Sequence, residues 1–254
     1  MITCIVRGDL GTQLFQVYAT IAYSIKYNES FLFYYNSASA YPFYWRNLFN
    51  NISHLIHDLA IDGSKLFKRI EHTIIQENME TYSSLIVPIN IHEKNVLLDG
   101  YFQDKRYFEE EFQIICEILK IRDLQKIMFD KYKPLFFQLD NYAYIGIYLQ
   151  SGVGYSFYEN ELKTIVGASK KHICLLLFYD REDGYSLEDT IDYLTKHYTK
   201  YKIIDTNTAN KWQDIESWEK VLLLSVCNKV IVASGALGWW ANQYNKYYYG
   251  NYNK

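Results

Sequence analysis

The residues able to do chemistry gather in five short turns: Arg7–Thr12, Asp99–Gln103, Gln150–Tyr155, Asp180–Gly184 and Ser234–Gly238. Each follows an apolar run of strand character. In an open parallel α/β sheet, ligands bind beyond the carboxyl ends of the strands, so these turns are where a site would form. Gly8 and Gly11 suit a tight turn against which a phosphate can be brought close to the backbone. Asp99 and Asp180 offer carboxylates for a base or for a ribose hydroxyl. Ser234 precedes a helical segment whose first amides can receive phosphate. Arg7, Lys163 and Arg181 are the cations that could answer its charge.

Other chemistries lack their residues. Gly8-x-x-Gly11 has neither the Lys-Ser/Thr of a P-loop nor the third glycine of a dinucleotide fingerprint. No Asp-x-Asp pair exists to hold a divalent ion on a diphosphate, and no Gly-x-Ser-x-Gly elbow marks a serine hydrolase. Cys4, Cys116, Cys174 and Cys227 are widely separated, so no metal site is expected from them. His54-x-x-His57 could share a helix face, but a solvated face is the plainer reading. Arg7-Gly8-Asp9 matches an adhesion tripeptide only by chance, at a strand end.

The elements that must position these turns follow from the apolar spacing. Met1–Arg7 reads as a strand. A helix over Thr12–Tyr27 follows, with Leu14, Tyr18, Ile21 and Ile25 on one face and Thr12 as its N-cap. Phe31–Tyr35 is a second strand, which makes the opening a βαβ unit. Residues 36–95 are harder to read. Val96–Asp99 is a strand, and helices are expected over Asp104–Lys120 and Asp123–Tyr132, with Pro134 interrupting the pattern. From Tyr142 onward, strand and helix alternate. Strands are expected at Tyr142–Leu149, Ile173–Tyr179, Tyr201–Asp205 and Lys229–Ala233. Helices are expected at Ser156–Ser169, Ser186–Tyr198, Ser217–Cys227 and Leu237–Tyr244. Two α/β halves result, 1–138 and 139–254, joined near Lys133–Asp140.

Composition narrows the class. The 254 residues carry 26 Lys and Arg against 29 Asp and Glu, a net charge of −3, which gives no support for a nucleic-acid partner bound through phosphates. The 45 aromatic residues (26 Tyr, 14 Phe, 5 Trp) and only 3 Pro exclude a disordered or linker-like chain. No basic leader and no apolar run of about 20 residues is present. A cytoplasmic protein with reduced thiols and no transmembrane segment is expected.

Three segments, in order, resemble the α-1,2-fucosyltransferase family (glycosyltransferase family 11). They are Gly8-Asp-Leu-Gly-Thr-Gln-Leu-Phe-Gln16, Leu98-Asp-Gly-Tyr-Phe-Gln-Asp-Lys-Arg-Tyr-Phe108, and the run from Leu222 through Ser234-Gly-Ala-Leu-Gly-Trp-Trp240. The resemblance implies an α/β, GT-B-like fold of two facing Rossmann-like halves with parallel sheets. It implies an acceptor side at 1–138 and a nucleotide-sugar side at 139–254. It also implies inverting, metal-independent transfer of fucose from GDP-fucose to a glycan, with no further cofactor. The donor residues it points to are Gly8, Gly11, Gln13, Gln150, Ser151, Gly152 and Ser234; the acceptor residues are Tyr101, Gln103 and Trp45.

The chain departs from that family where charge is needed. The family's His-x-Arg-Arg-Gly-Asp corresponds here to Tyr148-Leu-Gln-Ser-Gly-Val153, so Gln150 and Ser151 stand in place of both arginines. A guanidinium fork binds phosphate in two places, whereas Gln and Ser bring hydrogen bonds without charge. Two readings follow. One is an active glycosyltransferase with an altered donor site, in which Asp99 or Asp180 serves as base. The other is a non-catalytic glycan- or partner-binding relative on the same scaffold.

Overall fold

The computed structural model describes residues 1–39, 44, 46–61, 67–68, 70–78, 82, 92, 94–139, 141–166, 171–180, 184–209 and 215–250, without the side chains of 184–186 and 209. The chain divides into two compact units, Met1–Ile121 and Arg122–Lys254.

The first unit is built on strands β1 (Ile2–Ile5), β2 (Phe31–Tyr35), β3 (Ile56–Asp58), β4 (His72–Gln76) and β5 (Asn95–Asp99). They pair in the order β3-β2-β1-β5-β4, every pair parallel. Helix α1 (Leu10–Lys26) crosses from β1 to β2 and is buried from Leu10 to Ser24. A helix with only one apolar stripe would not be buried this way. The reason is a second cover. Tyr18 meets Phe108 and Phe112 at centroid distances of 5.5 and 5.4 Å, and its hydroxyl lies 3.2 Å from Cys116 Sγ. Phe112 and Cys116 belong to α2 (Phe112–Ile118). The helix expected over Asp104–Lys120 is thus split, into a 3-10 turn at Lys105–Tyr107 and the shorter α2.

Strands β3 and β4 have no counterpart in the sequence reading. Each is short, and His72-Thr-Ile-Ile-Gln76 exposes part of its apolar content, so no clear period-2 pattern announces it. A 3-10 helix, Asn50–Leu55, runs directly into β3, so His54 and His57 do not share a helix face.

The second unit carries β6 (Tyr142–Tyr148), β7 (His172–Phe178), β8 (Lys202–Asp205) and β9 (Lys229–Val232), in the order β8-β7-β6-β9 and again all parallel. Its helices are α3 (Ile121–Phe136), α4 (Tyr155–Val166), α5 (Gly184–His197), the single turn α6 (Thr206–Ala209), α7 (Ser217–Val226) and α8 (Ala236–Tyr248). The regular alternation from Tyr142 is the one the sequence implies. Gly146 in β6 lets α7 come close: a Cβ there would stand 2.9 Å from Leu224 Cδ2 and 3.0 Å from Cys227 Sγ. All four cysteines are buried and free, and burial pushes the Cys4 and Cys174 thiols up to about 12.

The two units part at the first residue of α3, between Ile121 and Arg122, whereas the sequence reading sets the division at 138/139. The cause is a set of polar anchors. Gln125 donates to Ser225 Oγ at 2.8 Å and to the Tyr244 carbonyl at 3.2 Å. Lys131 and Tyr132 both donate to the buried Glu219 carboxylate, at 2.6 and 3.1 Å. In a linear reading these residues look like a solvated face. Pro134 lies inside α3 rather than ending it. It sits in the last turn, where the bond it forgoes would have gone to the exposed Asp130. Among the described residues no helix is long and apolar enough to cross a membrane.

Glu219→Ala should lower stability by about 3 kcal/mol, because the buried Tyr132 hydroxyl and the Lys131 ammonium lose their shared acceptor. Urea denaturation read by tryptophan fluorescence measures this, and a change under 1 kcal/mol would refute the anchoring role.

Candidate functional site

Parallel order fixes where each sheet opens. In the first unit β2 and β3 lie on one side of β1, and β5 and β4 on the other. The chain direction of winding therefore reverses between β1 and β5, and the turns after these strands flank the crevice. In the second unit the reversal falls between β6 and β9. Four of the five turns singled out from sequence lie at these two places.

At the first, Arg7 donates to Asp99 Oδ1 at 2.8 Å, with both side chains partly exposed. The guanidinium also sits 5.2 Å from the Tyr101 ring centroid. Beneath them Gln16, fully buried, ties the two turns together. Its carbonyl oxygen accepts from the Arg7 amide at 2.9 Å, and its amide donates to the Gly100 carbonyl at 2.8 Å. Gln13 donates to the Gly8 carbonyl at 2.7 Å, and Gln103 to Thr12 Oγ1 at 3.1 Å. Glu77, just past β4, accepts from the amides of Tyr101 and Phe102 at 2.7 and 2.8 Å. Phe102 is held at φ 55°, a left-handed conformation that costs a non-glycine residue about 1 kcal/mol or more. A Cβ on Gly100 would collide with the Glu77 side chain, so only glycine fits.

The cap of α1 differs from the expectation. Asp9, not Thr12, is the N-cap, and its carboxylate accepts from the Thr12 amide at 2.8 Å. Gly11 lies in the first helical turn instead of in the preceding loop. A carboxylate already occupies this helix N-terminus, which disfavours a second anion there.

At the second place, the start of α8 is open. Its N-cap is Gly235, at φ 117° and ψ 149°, and no side chain caps it. A Cβ on Gly235 would stand 2.7 Å from the Gln150 side-chain nitrogen. The Gln150 amide thus lies directly over the helix entrance, while its backbone N–H donates to Tyr158 Oη at 2.9 Å. Gly152 takes φ 79°, and Ser151, Gly152 and Ser234 are exposed around the same turns. The Trp pair that follows divides its work. Trp240 is fully buried in the core and meets Trp239 edge to face at 4.9 Å.

Asp180, beyond β7, is engaged on both oxygens. Lys220 donates to Oδ1 at 2.6 Å, and Tyr148 to Oδ2 at 2.6 Å. The Lys220 side chain is 6% exposed and also donates to the Tyr179 carbonyl at 2.8 Å. Burial pushes the Asp180 carboxyl up, but the Lys220 charge and the bonds from Lys220 and Tyr148 outweigh it and hold the pKa below the ordinary value. Lys220 escapes a linear reading because it opens an otherwise apolar helix, next to Glu219 and ahead of Val221 to Val226. Gln16 and Glu77 are likewise visible only once the strands are paired. Of the cations named from sequence, Arg7 is bound to Asp99, and Lys163 pairs with Glu159 on an exposed face of α4. Arg181 lies outside the described residues, as does Trp45.

The chain is similar to solved fucosyltransferase structures. One is Arabidopsis thaliana FUT1, an arginine-to-lysine mutant in complex with GDP. It is 10% identical, with 94% of this chain and 67% of that chain covered at a TM-score of 0.53. Another is the fucosyltransferase NodZ from Bradyrhizobium, 10% identical, with 94% and 92% covered at a TM-score of 0.47. No family model matches the chain, and no curated protein does. At this identity the likeness to FUT1 establishes the fold, which is fucosyltransferase-like and GT-B-like.

The depressed Asp180 pKa has a definite consequence. A carboxylate whose folded pKa lies below its unfolded value of about 3.9 stabilises the fold above that value and loses the contribution as pH falls through the folded pKa. Asp180→Asn should therefore destabilise the protein at pH 7, and the difference from the parent should narrow below about pH 4. Denaturant midpoints across that range measure it. A difference that stays constant with pH would contradict the ion pair.

Proposed function

We propose that the chain is a nucleotide-sugar-dependent glycosyltransferase, related to the α-1,2-fucosyltransferases and using GDP-fucose or a similar donor. The single observation that carries this reading is the open entrance of α8, where an uncapped helix N-terminus, Gly235 and the Gln150 amide converge. First-turn amides point at an anion placed there, and the helix dipole favours its charge. FUT1 was solved in complex with GDP, which supports a nucleoside diphosphate as the ligand.

On this reading the second unit takes the donor and the first the acceptor. The α8 amides and Gln150 bind diphosphate oxygens and stabilise the charge that grows as the nucleotide leaves. An acceptor hydroxyl attacks the anomeric carbon from the opposite face. The bond to the diphosphate breaks, the configuration inverts, and a base takes the hydroxyl proton. Asp180 is poorly suited to that task, since its low pKa and two committed oxygens hold it ionised and fixed. Asp99, accessible and paired with Arg7, is the other candidate for the base. Gly8, Gly11 and Gln13 shape the first turn of α1 instead of meeting phosphate, because Asp9 already fills its N-terminus. No step needs a metal ion.

A second reading has its own support. The turn after β6 brings Gln150 and Ser151 where the resembling family has arginines, and Lys220 is committed to Asp180 and the Tyr179 carbonyl. A non-catalytic, glycan- or partner-binding relative would tolerate this.

Isothermal titration with GDP and GDP-fucose separates the two. The enzyme reading expects binding in the micromolar to millimolar range and release of GDP when a glycan acceptor is added. Gly235→Ala, which blocks the entrance and strains the backbone, should weaken GDP binding at least tenfold. Gln150→Arg should strengthen it. Absence of binding to any nucleotide sugar at millimolar concentration would overturn the enzyme reading.

A further inference from the structure

The turns of the two crevices lie at the carboxyl ends of strands, and the opposite edge of the second sheet has a different make-up. His172, Lys202 and Lys229 are the first residues of β7, β8 and β9, and all three are exposed. Lys200, also exposed, stands just ahead of β8. The helices return to this edge. α5 ends on Lys196 and His197, and α8 carries Lys246 in its last turn. Past α8, the Tyr249 hydroxyl donates to the Val226 carbonyl at 3.0 Å, which holds that helix end beside the entry to β9.

A helix C-terminus attracts cations, which accounts for Lys196, His197 and Lys246. Lys200, Lys202 and Lys229 belong to no helix and need another reason. Two acids near this edge are already paired: Asp192 with Lys196 and Glu159 with Lys163, each at 2.8 Å. A third, Asp123, opens α3 next to Arg122, whose guanidinium donates to the Tyr247 carbonyl at 3.1 Å. Lys200, Lys202, Lys229 and Lys246 form no ion pair among the described residues. Asp180 and Asp205 stand instead at the carboxyl ends of β7 and β8, and Glu216 caps the start of α7. Charge in this unit is therefore sorted, with the unpaired lysines at the edge away from the α8 entrance.

The kind of cation selects the partner. Tyrosines interleave with these lysines: Tyr142 meets His172 at a centroid distance of 5.3 Å, and Lys200 Nζ lies 4.9 Å from the Tyr201 ring. Tyr249 is 40% exposed. A lysine is a hydrated point charge on a flexible stem, whereas fixed anions are best read by the arginine fork. Protein interfaces are depleted in lysine, and the arginine beside this edge, Arg122, is committed to the Tyr247 carbonyl and ring. Diffuse charge among tyrosines suits a fluid anionic surface. The ammonium groups meet lipid headgroups, and tyrosine rings rest at the interface.

We propose that the amino edge of the second sheet docks the protein on a membrane surface of anionic phospholipid, through Lys200, Lys202, Lys229 and Lys246. The docking stands without the nucleotide reading. Within the second unit it leaves the α8 entrance on the side turned away from the lipid.

Cosedimentation of the full chain with vesicles tests the docking. The protein should bind vesicles of phosphatidylcholine mixed with phosphatidylserine but not phosphatidylcholine alone, and binding should fall as salt is raised. Lys200→Gln, Lys202→Gln and Lys229→Gln should each weaken it about fivefold, and all three together about a hundredfold, with thermal unfolding unchanged. The same three positions changed to Arg should bind as the parent does, since charge and not shape is read. Absence of binding to the anionic vesicles at low salt, equal binding to neutral ones, or full binding by the triple glutamine variant would each overturn the proposal. So would tighter binding of oligouridylate or polyglutamate than of anionic vesicles, which would mark RNA or an acidic protein as the partner.

Discussion

Parallel pairing is the constraint from which the rest of this structure follows. A parallel partner cannot be reached by a tight hairpin, so every strand must be followed by a crossover. After β1, β6 and β7 that crossover begins with a turn at the carboxyl end of the strand and continues into a helix, and a turn and a helix likewise follow β9. Parallel pairing also leaves the first strand of each unit, β1 and β6, with neighbours added on both sides. The crevice opened where the winding reverses is the same in both units, and the polar turns are found there.

The two crevices are furnished differently. In the first, buried Gln16 and the Glu77 carboxylate fix backbone groups, and the strain at Phe102 is held in place by these bonds. The accessible charges above them, Arg7 and Asp99, are paired. An exposed pair of this kind adds little to stability, about 1 kcal/mol at most. In the second crevice the charge lies deeper, as Lys220 with Asp180 and Tyr148, and the surface facing solvent is made of amides and a glycine. An anion there would be met by dipoles rather than by a guanidinium, a weaker but still directional kind of recognition.

Aromatic residues, abundant in the composition, serve mostly as core. Tyr18, Tyr34, Tyr158 and Trp240 are fully buried, and Phe108 and Phe112 give α1 its second cover. Tyr35 and Tyr44 are exceptions, since they line a cavity at the edge of β2 and β3. Tyr148 is half of each: its ring is buried, and its hydroxyl holds Asp180.

The sequence by itself determined the α/β class, the alternation from Tyr142 onward and the strand-end turns, because apolar periodicity and glycine placement act locally along the chain. It singled out the turns that carry Asp99, Gln150 and Ser234 but not the buried polar groups that brace the neighbouring turns. Glu77 follows a strand too short to announce itself, Gln16 hides on a helix that looked amphipathic, and Lys220 sits in an apolar run. The start of α1 was misplaced because Asp9 and Thr12 are both good caps, and only the backbone decides which amide is met. The extent of α3 was underestimated because Gln125, Lys131 and Tyr132 are polar, and their acceptors lie about 90 residues or more away along the chain. Strand order, and with it the meeting of the Gln150 amide with Gly235, depended on long-range pairing. Periodicity carries no information about which strand lies beside which, so that choice belonged to the tertiary structure alone.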